Sequence, residues 1–192
     1  WTTQGKYGNA LSFDGVNDYI NLATTTQYVV TTNPFTVSAW VYLNSFSSSA
    51  YPHVLTLRTN TSDAYQIFLS NQSGYLGIAI GSASTWVRVK TNTSASSLIG
   101  GWHHIAVTYT GTGAGTTNNF KIYLDGVSKT LTSAGSFTPL SQANHIGSSG
   151  IFDEYWNGRI DEVRIYNRTL TQTEIQSDMN TPLISDAISP TV

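Results

Sequence analysis

The chain of 192 residues contains no cysteine, so disulfide bonds contribute nothing to its stability. Many exported bacterial domains also lack disulfides, and the absence therefore leaves the compartment open. Charged residues are scarce as well, at 10% of the chain against about 25% in an average globular protein. The nine lysines and arginines are scattered and the formal net charge is -2. Without a basic stripe to neutralise phosphates, nucleic acid is excluded as the expected partner.

Long apolar runs are also missing. No stretch approaches the roughly 20 apolar residues that a membrane-spanning helix needs, and the start at Trp1 shows no basic segment followed by an apolar one. We therefore predict no membrane insertion. The length suits one all-β domain, and the chain is expected to be a piece of a longer protein. Residues 1–182 are predicted to form the domain, and residues 183–192 a tail or linker.

Short stretches of alternating apolar and polar residues, bounded by Gly, Asn, Ser and Thr, recur along the whole chain. About a dozen such stretches predict an all-β antiparallel sandwich. The stretch 35–43 is apolar at alternate positions and aromatic between them, which indicates a central strand covered on both faces. Asp125-Gly126 predicts a tight hairpin, because this pair accepts the positive φ angles of a two-residue turn. Thr171 and Glu174 have capping-box spacing and predict one short C-terminal helix.

Five motifs follow one another along the chain. They occupy residues 7–20, 35–41, 102–109, 121–126 and 157–166. In this order they resemble the concanavalin-A-like, laminin-G-like jelly-roll domains of large extracellular proteins, over residues 5–180. The resemblance implies two curved antiparallel sheets, calcium in many members, and use as a carbohydrate-binding or adhesion module outside the cell or at its surface. It does not name the ligand.

Asp161 lies within the strand predicted for residues 160–166, where burying a lone carboxylate costs several kcal/mol unless a partner offsets it. In laminarinase-type sandwiches, which this chain resembles, a last-strand aspartate binds structural calcium, and the resemblance implies that role for Asp161. We add Asp14 as a second ligand, because first and last strands often pair in jelly rolls and Ca²⁺ takes six to eight oxygens. The alternative is that Asp14, in one turn with Asn17 and Asp18, bonds only its own backbone.

Aromatic residues make up 12% of the chain, and most are expected in the core. Tyr51 and Tyr155 lie near predicted strand ends, where a flat ring can stack on a sugar. Asp153 lies close to Tyr155 in sequence and can hydrogen-bond sugar hydroxyls. These three are the candidate ligand-binding residues.

The four histidines indicate no catalytic or metal site. His103 and His104 are adjacent in a predicted strand, so their side chains face opposite sides and cannot converge on one ion. His53 and His145 have no partner at a recognisable spacing and receive no role.

Glycoside hydrolysis normally needs two carboxylates on either side of the scissile bond. The chain has three glutamates. Glu174 belongs to the predicted helix cap, Glu162 lies beside Asp161 on the opposite strand face, and Glu154 lies in a loop. The Glu-x-Asp-x-x-Glu signature of laminarinase-type relatives is absent, so we predict no enzyme activity.

The predicted function is a non-catalytic carbohydrate-binding or adhesion module of a larger extracellular or cell-surface protein, stabilised by Ca²⁺. A structural or protein-binding spacer is the alternative, and a glycoside hydrolase is the less favoured one.

If Asp161 holds calcium, chelation should lower the melting temperature, because an ion that binds only the folded state stabilises that state. Thermal melts with EDTA and with added Ca²⁺ measure the shift, and Asp161→Ala should abolish the calcium response. An unchanged melting temperature of the parent protein would withdraw the roles of Asp14 and Asp161.

Overall fold

The structure is a computed structural model. It describes residues 1–22, 33–46, 51–58, 64–70, 74–82, 85–111, 117–137, 144–150 and 154–183. These residues form two antiparallel sheets and one α-helix, which confirms the predicted sandwich with a short C-terminal helix. Within these ranges no helix is long and apolar enough to cross a membrane. Most of the predicted tail lies outside the described residues, so the domain boundary stays a prediction.

The strands, in chain order, are β1 (Leu11–Asp14), β2 (Ile20–Asn21), β3 (Phe35–Leu43), β4 (His53–Arg58), β5 (Ala64–Ser70), β6 (Tyr75–Ser82), β7 (Thr85–Ser94), β8 (Trp102–Tyr109), β9 (Phe120–Leu124), β10 (Val127–Lys129), β11 (Leu131–Phe137), β12 (His145–Ile146) and β13 (Asn157–Tyr166). The helix α1 is Gln172–Asp178. The six-stranded sheet has the order β1-β13-β3-β8-β9-β10. The seven-stranded sheet has the order β11-β7-β6-β5-β4-β12-β2.

The core lies between the two sheets, where apolar side chains of both meet. Each fully buried Leu, Ile or Val contributes about 1.5–3 kcal/mol. Buried aliphatic residues of the six-stranded sheet include Leu43, Ile105 and Ile122, and those of the seven-stranded sheet include Leu55, Leu57, Leu76 and Ile78.

The central strand prediction for residues 35–43 is confirmed, since β3 pairs with β13 on one side and with β8 on the other. Its alternate side chains from Phe35 to Leu43 enter the core. Trp40 is on the other face, where Nε1 donates to the carbonyl oxygen of Met179 at 3.1 Å. The segment around α1 therefore covers the outer face of the six-stranded sheet at this point.

The last strand contains a β-bulge. Asp161 and Arg164 pair with β3 residues only two positions apart, so Glu162 and Val163 together occupy the place of one residue. Glu162 has a φ of 52°. The bulge explains why the core-facing Ile160 and Val163 are three residues apart, where a regular strand would space them by two.

The bulge aims Arg164 at the C-terminal segment. Its guanidinium bonds Glu162 at 2.5 Å and also bonds the carboxylate of Asp178, which accepts from the Tyr166 hydroxyl at 2.5 Å. The side chains of Arg164, Glu162 and Asp178 are 10%, 7% and 14% exposed. In so buried a network, removing one partner leaves an uncompensated charge.

The helix itself begins with the predicted capping box of Thr171 and Glu174.

Two turns require positive φ angles. The Asp125-Gly126 hairpin between β9 and β10 is as predicted, with φ values of 53° and 73°. Gly147, after β12, has a φ of 85°, and a Cβ there would lie 2.4 Å from Cε1 of Phe13. Gly100 has a similar φ of 82°, but nothing lies within 4 Å of its Cβ position.

These two glycines form a matched pair for a stability test. Gly147→Ala combines a left-handed backbone penalty of about 1–2 kcal/mol with overpacking against Phe13 of about 1–3 kcal/mol. Gly100→Ala should lose only the backbone part, about 1–2 kcal/mol. Chemical denaturation of both variants measures the difference. Equal losses of unfolding free energy would contradict the contact between residue 147 and the Phe13 ring.

Candidate functional site

Tyr51, His53 and Glu154 come together at the start of β4. Nδ1 of His53 donates to the carbonyl oxygen of Tyr51 at 2.7 Å, and Oε2 of Glu154 lies 3.5 Å from the same nitrogen. His53 is only 3% exposed. Tyr155 follows Glu154 in the chain, so its backbone lies next to this group.

The loop that carries Tyr155 is anchored through its backbone. Ser148 and Tyr155 form a β-bridge across it, and Trp156 N donates to the carbonyl oxygen of Gly147 at 2.9 Å. Thr56 in β4 donates its hydroxyl hydrogen to the carbonyl oxygen of Ser148 at 3.2 Å. The Trp156 side chain is fully buried. These contacts hold the two ends of the loop against the seven-stranded sheet.

Arg88 joins this group from β7. Its Cζ lies 5.4 Å from the centroid of the Tyr51 ring, within the range of a cation–π interaction. The next residue, Val89, is in the core, so Arg88 extends from the outer face of the seven-stranded sheet. We call the group Tyr51, His53, Arg88, Glu154 and Tyr155 the Tyr51 surface.

The Tyr51 surface combines half-buried aromatic rings with groups of both charges. Aromatic rings provide flat apolar area, while guanidinium and carboxylate groups provide directed hydrogen bonds to hydroxyls. This is the mixture that small polar ligands require. Asp153, the third predicted ligand-binding residue, lies outside the described residues.

The sequence alone gave Arg88, His53 and Glu154 no binding role. Their contacts join β4, β7 and the loop before β13, which are far apart in the chain. The aromatic character of Tyr51 and Tyr155 was visible in the sequence, but a cross-strand partner such as Arg88 carries no local signal.

Asp161 lies in β13 as predicted, and backbone amides surround its carboxylate. Oδ2 accepts from Tyr7 N at 3.0 Å, and Oδ1 accepts from Glu162 N at 2.9 Å. Burial raises the pKa of Asp161, while these backbone hydrogen bonds act in the opposite direction. Backbone N–H donors of the N-terminal segment and of the bulge therefore offset the cost of burying the Asp161 carboxylate in the strand.

Asp14 lies in the turn between β1 and β2 and bonds that turn. Its Oδ1 accepts from Val16 N at 2.8 Å, and its own N donates to Asp18 Oδ2 at 3.0 Å. This is the local arrangement that the alternative reading of Asp14 predicts.

The register of β1 against β13 separates the two predicted calcium ligands. Leu11 pairs with Ile160, so Asp161 lies opposite residue 10, four positions from Asp14. At about 3.3 Å per residue, the separation along the strands is about 13 Å, too far for both carboxylates to hold one ion. Among the described residues, no group of three or more His, Cys, Asp and Glu side chains could hold a metal. Calcium binding by Asp161 with other oxygens stays a prediction.

His103 and His104 do not converge, as predicted. His103 Nδ1 lies 2.9 Å from Oδ2 of Asp125, whereas His104 packs its ring 5.4 Å from that of Trp40. His104 is 2% exposed. Burial lowers the pKa of His104 from 6.5 to about 4, although Asp178 and Asp125 act to raise it.

Two antiparallel sheets and a capped C-terminal helix define a jelly-roll module of the concanavalin A-like type. The chain belongs to the concanavalin A-like lectin/glucanases superfamily, whose family profile matches residues 14–176. No protein with a curated description matches the chain in sequence.

Several solved structures are similar to the chain. Domain 4 of AbnA, a GH43 extracellular arabinanase from Geobacillus stearothermophilus, in complex with arabinotriose, has a TM-score of 0.64 and 22% identity, over 91% of this chain and 78% of that one. The CBM40 of the Ruminococcus gnavus IT-sialidase, bound to α2,6 sialyllactose, has a TM-score of 0.56 and 15% identity, over 90% and 96%. At these identities the similarities show the fold.

His104 generates a pH-dependent stability. A pKa of about 4 in the folded protein, against 6.5 in the unfolded chain, means that the unfolded state binds this proton first. Stability of up to about 3 kcal/mol should therefore be lost as the pH falls from 6.5 to 4. Unfolding free energies of His104→Gln should show a weaker loss over this window. Identical profiles for the parent protein and this variant would contradict the role of His104.

Proposed function

We propose that this protein is a non-catalytic carbohydrate-binding module that takes a glycan at the Tyr51 surface. The observation that carries the proposal is the packing of Arg88 against the Tyr51 ring, beside the contact between His53 and Glu154. A sugar ring can lie against Tyr51 or Tyr155, while the charged groups bond its hydroxyls. His53 and Arg88 lie in strands, and both ends of the loop before β13 are attached to the sheet, so these residues need little ordering on binding.

The similar solved structures support this class of function. Domain 4 of AbnA was solved with arabinotriose, and the Ruminococcus gnavus CBM40 with α2,6 sialyllactose. AbnA is an extracellular enzyme of which the similar part is one domain. We accordingly propose that the chain acts outside the cell or at its surface as one domain of a longer protein.

The non-catalytic part of the proposal rests on the glutamates, each of which has a partner within the protein. Glu154 faces His53, Glu162 bonds Arg164, and Glu174 bonds Arg168 and caps α1. A hydrolase would need a pair of carboxylates across the sugar. Calcium at Asp161 is a separate proposal, which the melts with EDTA and Ca²⁺ test.

Tyr51→Ala should weaken glycan binding at least about tenfold, equivalent to roughly 1.4 kcal/mol, because it removes both the ring and the support for Arg88. A glycan array first identifies a bound sugar, and isothermal titration then compares the variants. Tyr42→Ala is the matched control, since Arg159 Cζ lies 3.9 Å from the Tyr42 ring on the other sheet. This control also loses a tyrosine–arginine pair but should keep the parent affinity.

Three outcomes would redirect the proposal. Equal affinities of the parent and Tyr51→Ala would remove the Tyr51 surface as the site. No sugar binding by the parent protein would favour the structural or protein-binding spacer. Release of reducing sugars from a polysaccharide panel would favour the hydrolase, and Glu154→Gln would then identify whether this carboxylate takes part.

A further inference from the structure

A second cleft, of about 450 Å³, opens on the outer face of the six-stranded sheet. It lies between strands β8, β9 and β10 and the residues that lead into α1. Its volume falls in the range of about 300–1,000 Å³ that is typical of small-molecule sites. Because the Tyr51 surface is on the outer face of the other sheet, the two sites lie on opposite sides of the sandwich.

Strand alternation turns the polar residues of β8 and β9 toward this cleft. Val107 and Ile122 are in the core between the sheets. Their neighbours Thr108, Lys121 and Tyr123 therefore extend from the outer face, where all three line the cleft. Thr108 pairs directly with Lys121 across the two strands.

Two hydroxyl groups that line the cleft have no hydrogen bond within the described part of the protein. They belong to Thr108 and Tyr123, whose side chains are otherwise buried at 2% exposure each. Neither oxygen is a fully buried unpaired atom, so both reach the solvent in the cleft. Each hydroxyl can donate one hydrogen bond and accept others, so the pair matches a ligand that offers both donors and acceptors. Burial also raises the pKa of Tyr123, which keeps its phenol protonated as a donor.

The walls of the cleft are held by hydrogen bonds of their own. Gln172 Nε2 donates to the carbonyl oxygen of Gly126 at 3.1 Å, and the Thr169 hydroxyl donates to that of Tyr109 at 2.9 Å. Leu170 N donates to the Thr36 hydroxyl at 2.9 Å. The cleft is thus preformed, and binding need not order a wall.

The charge in the cleft selects among polar ligands. Lys121 is the one charged residue among the described residues that line it. The nearby Arg168 is paired with Glu174 at 2.7 Å. A ligand with several hydroxyl groups and one carboxylate matches the two free hydroxyls and the ammonium group.

We propose that this cleft is a second sugar-binding site, which takes an acidic sugar unit such as a uronic acid. Thr108 and Tyr123 bond the ring hydroxyls, and Lys121 pairs with the carboxylate. The choice of a sugar as the ligand rests on the proposed function, whereas the cleft and its two unpartnered hydroxyls stand apart from it. A module with sites on opposite faces would crosslink two glycan chains and gain avidity from doing so.

The test uses the ¹⁵N-labelled protein titrated with galacturonic acid, with galactose as the neutral match that differs only at the C6 carboxylate. Galacturonic acid should shift the amide resonances of residues 108, 121, 123 and 128, with at least a fivefold higher affinity than galactose. Thr108→Val keeps the shape of the side chain and should reduce the affinity at least fivefold. Lys121→Gln should bring the affinity for galacturonic acid down to that for galactose.

The outcomes separate this site from the Tyr51 surface. Shifts in the cleft that persist in Tyr51→Ala support the second site, even if no glycan binds at the Tyr51 surface. Shifts confined to the Tyr51 surface, or no shifts at all, overturn the second site. Tyr123→Phe provides a second hydroxyl deletion if the amide spectrum of Thr108→Val shows a loss of fold, and an unchanged affinity of Tyr123→Phe would also count against the proposal.

Discussion

The pairing of the last strand with the central strand is the interaction on which the rest of the structure depends. β13 lies between β1 and β3, so it holds the first strand and the middle of the sheet together. Its bulge then directs Asp161 to the N-terminal segment and Arg164 to the C-terminal segment. A carboxylate and a guanidinium that would be costly in a regular buried strand thereby become the attachments of both chain ends.

Features encoded within a few residues could be predicted from the sequence. The Asp125-Gly126 hairpin and the capping box of Thr171 and Glu174 depend on local backbone chemistry, and the structure confirms both. The bulge at Glu162 was not predicted, although the three-residue spacing of Ile160 and Val163 is consistent with it. A bulge places two residues of one strand opposite one residue of its partner, so it can be recognised only when the partner strand is known.

The candidate sites also combine features visible in the local sequence with features that depend on distant parts of the chain. Tyr51 and Tyr155 are recognisable from the sequence as aromatic residues near strand ends, but Arg88 reaches the Tyr51 ring from another strand. Asp14 and Asp161 are on paired strands as predicted, yet the register that pairs them also sets them four positions apart. The unpartnered hydroxyls of Thr108 and Tyr123 carry no sequence signal, because only packing reveals that a hydroxyl lacks a partner.

The loop before β13 is attached through main-chain atoms at both ends, by the bridge of Ser148 with Tyr155 and the bond from Trp156 N to Gly147. Side chains at positions 154 and 155 can therefore be exchanged without disturbing that attachment. Selection, or a library randomised at these positions, could change the chemistry of this surface while the scaffold stays intact. Side-chain variation at the surface and the stability of the fold are therefore largely independent.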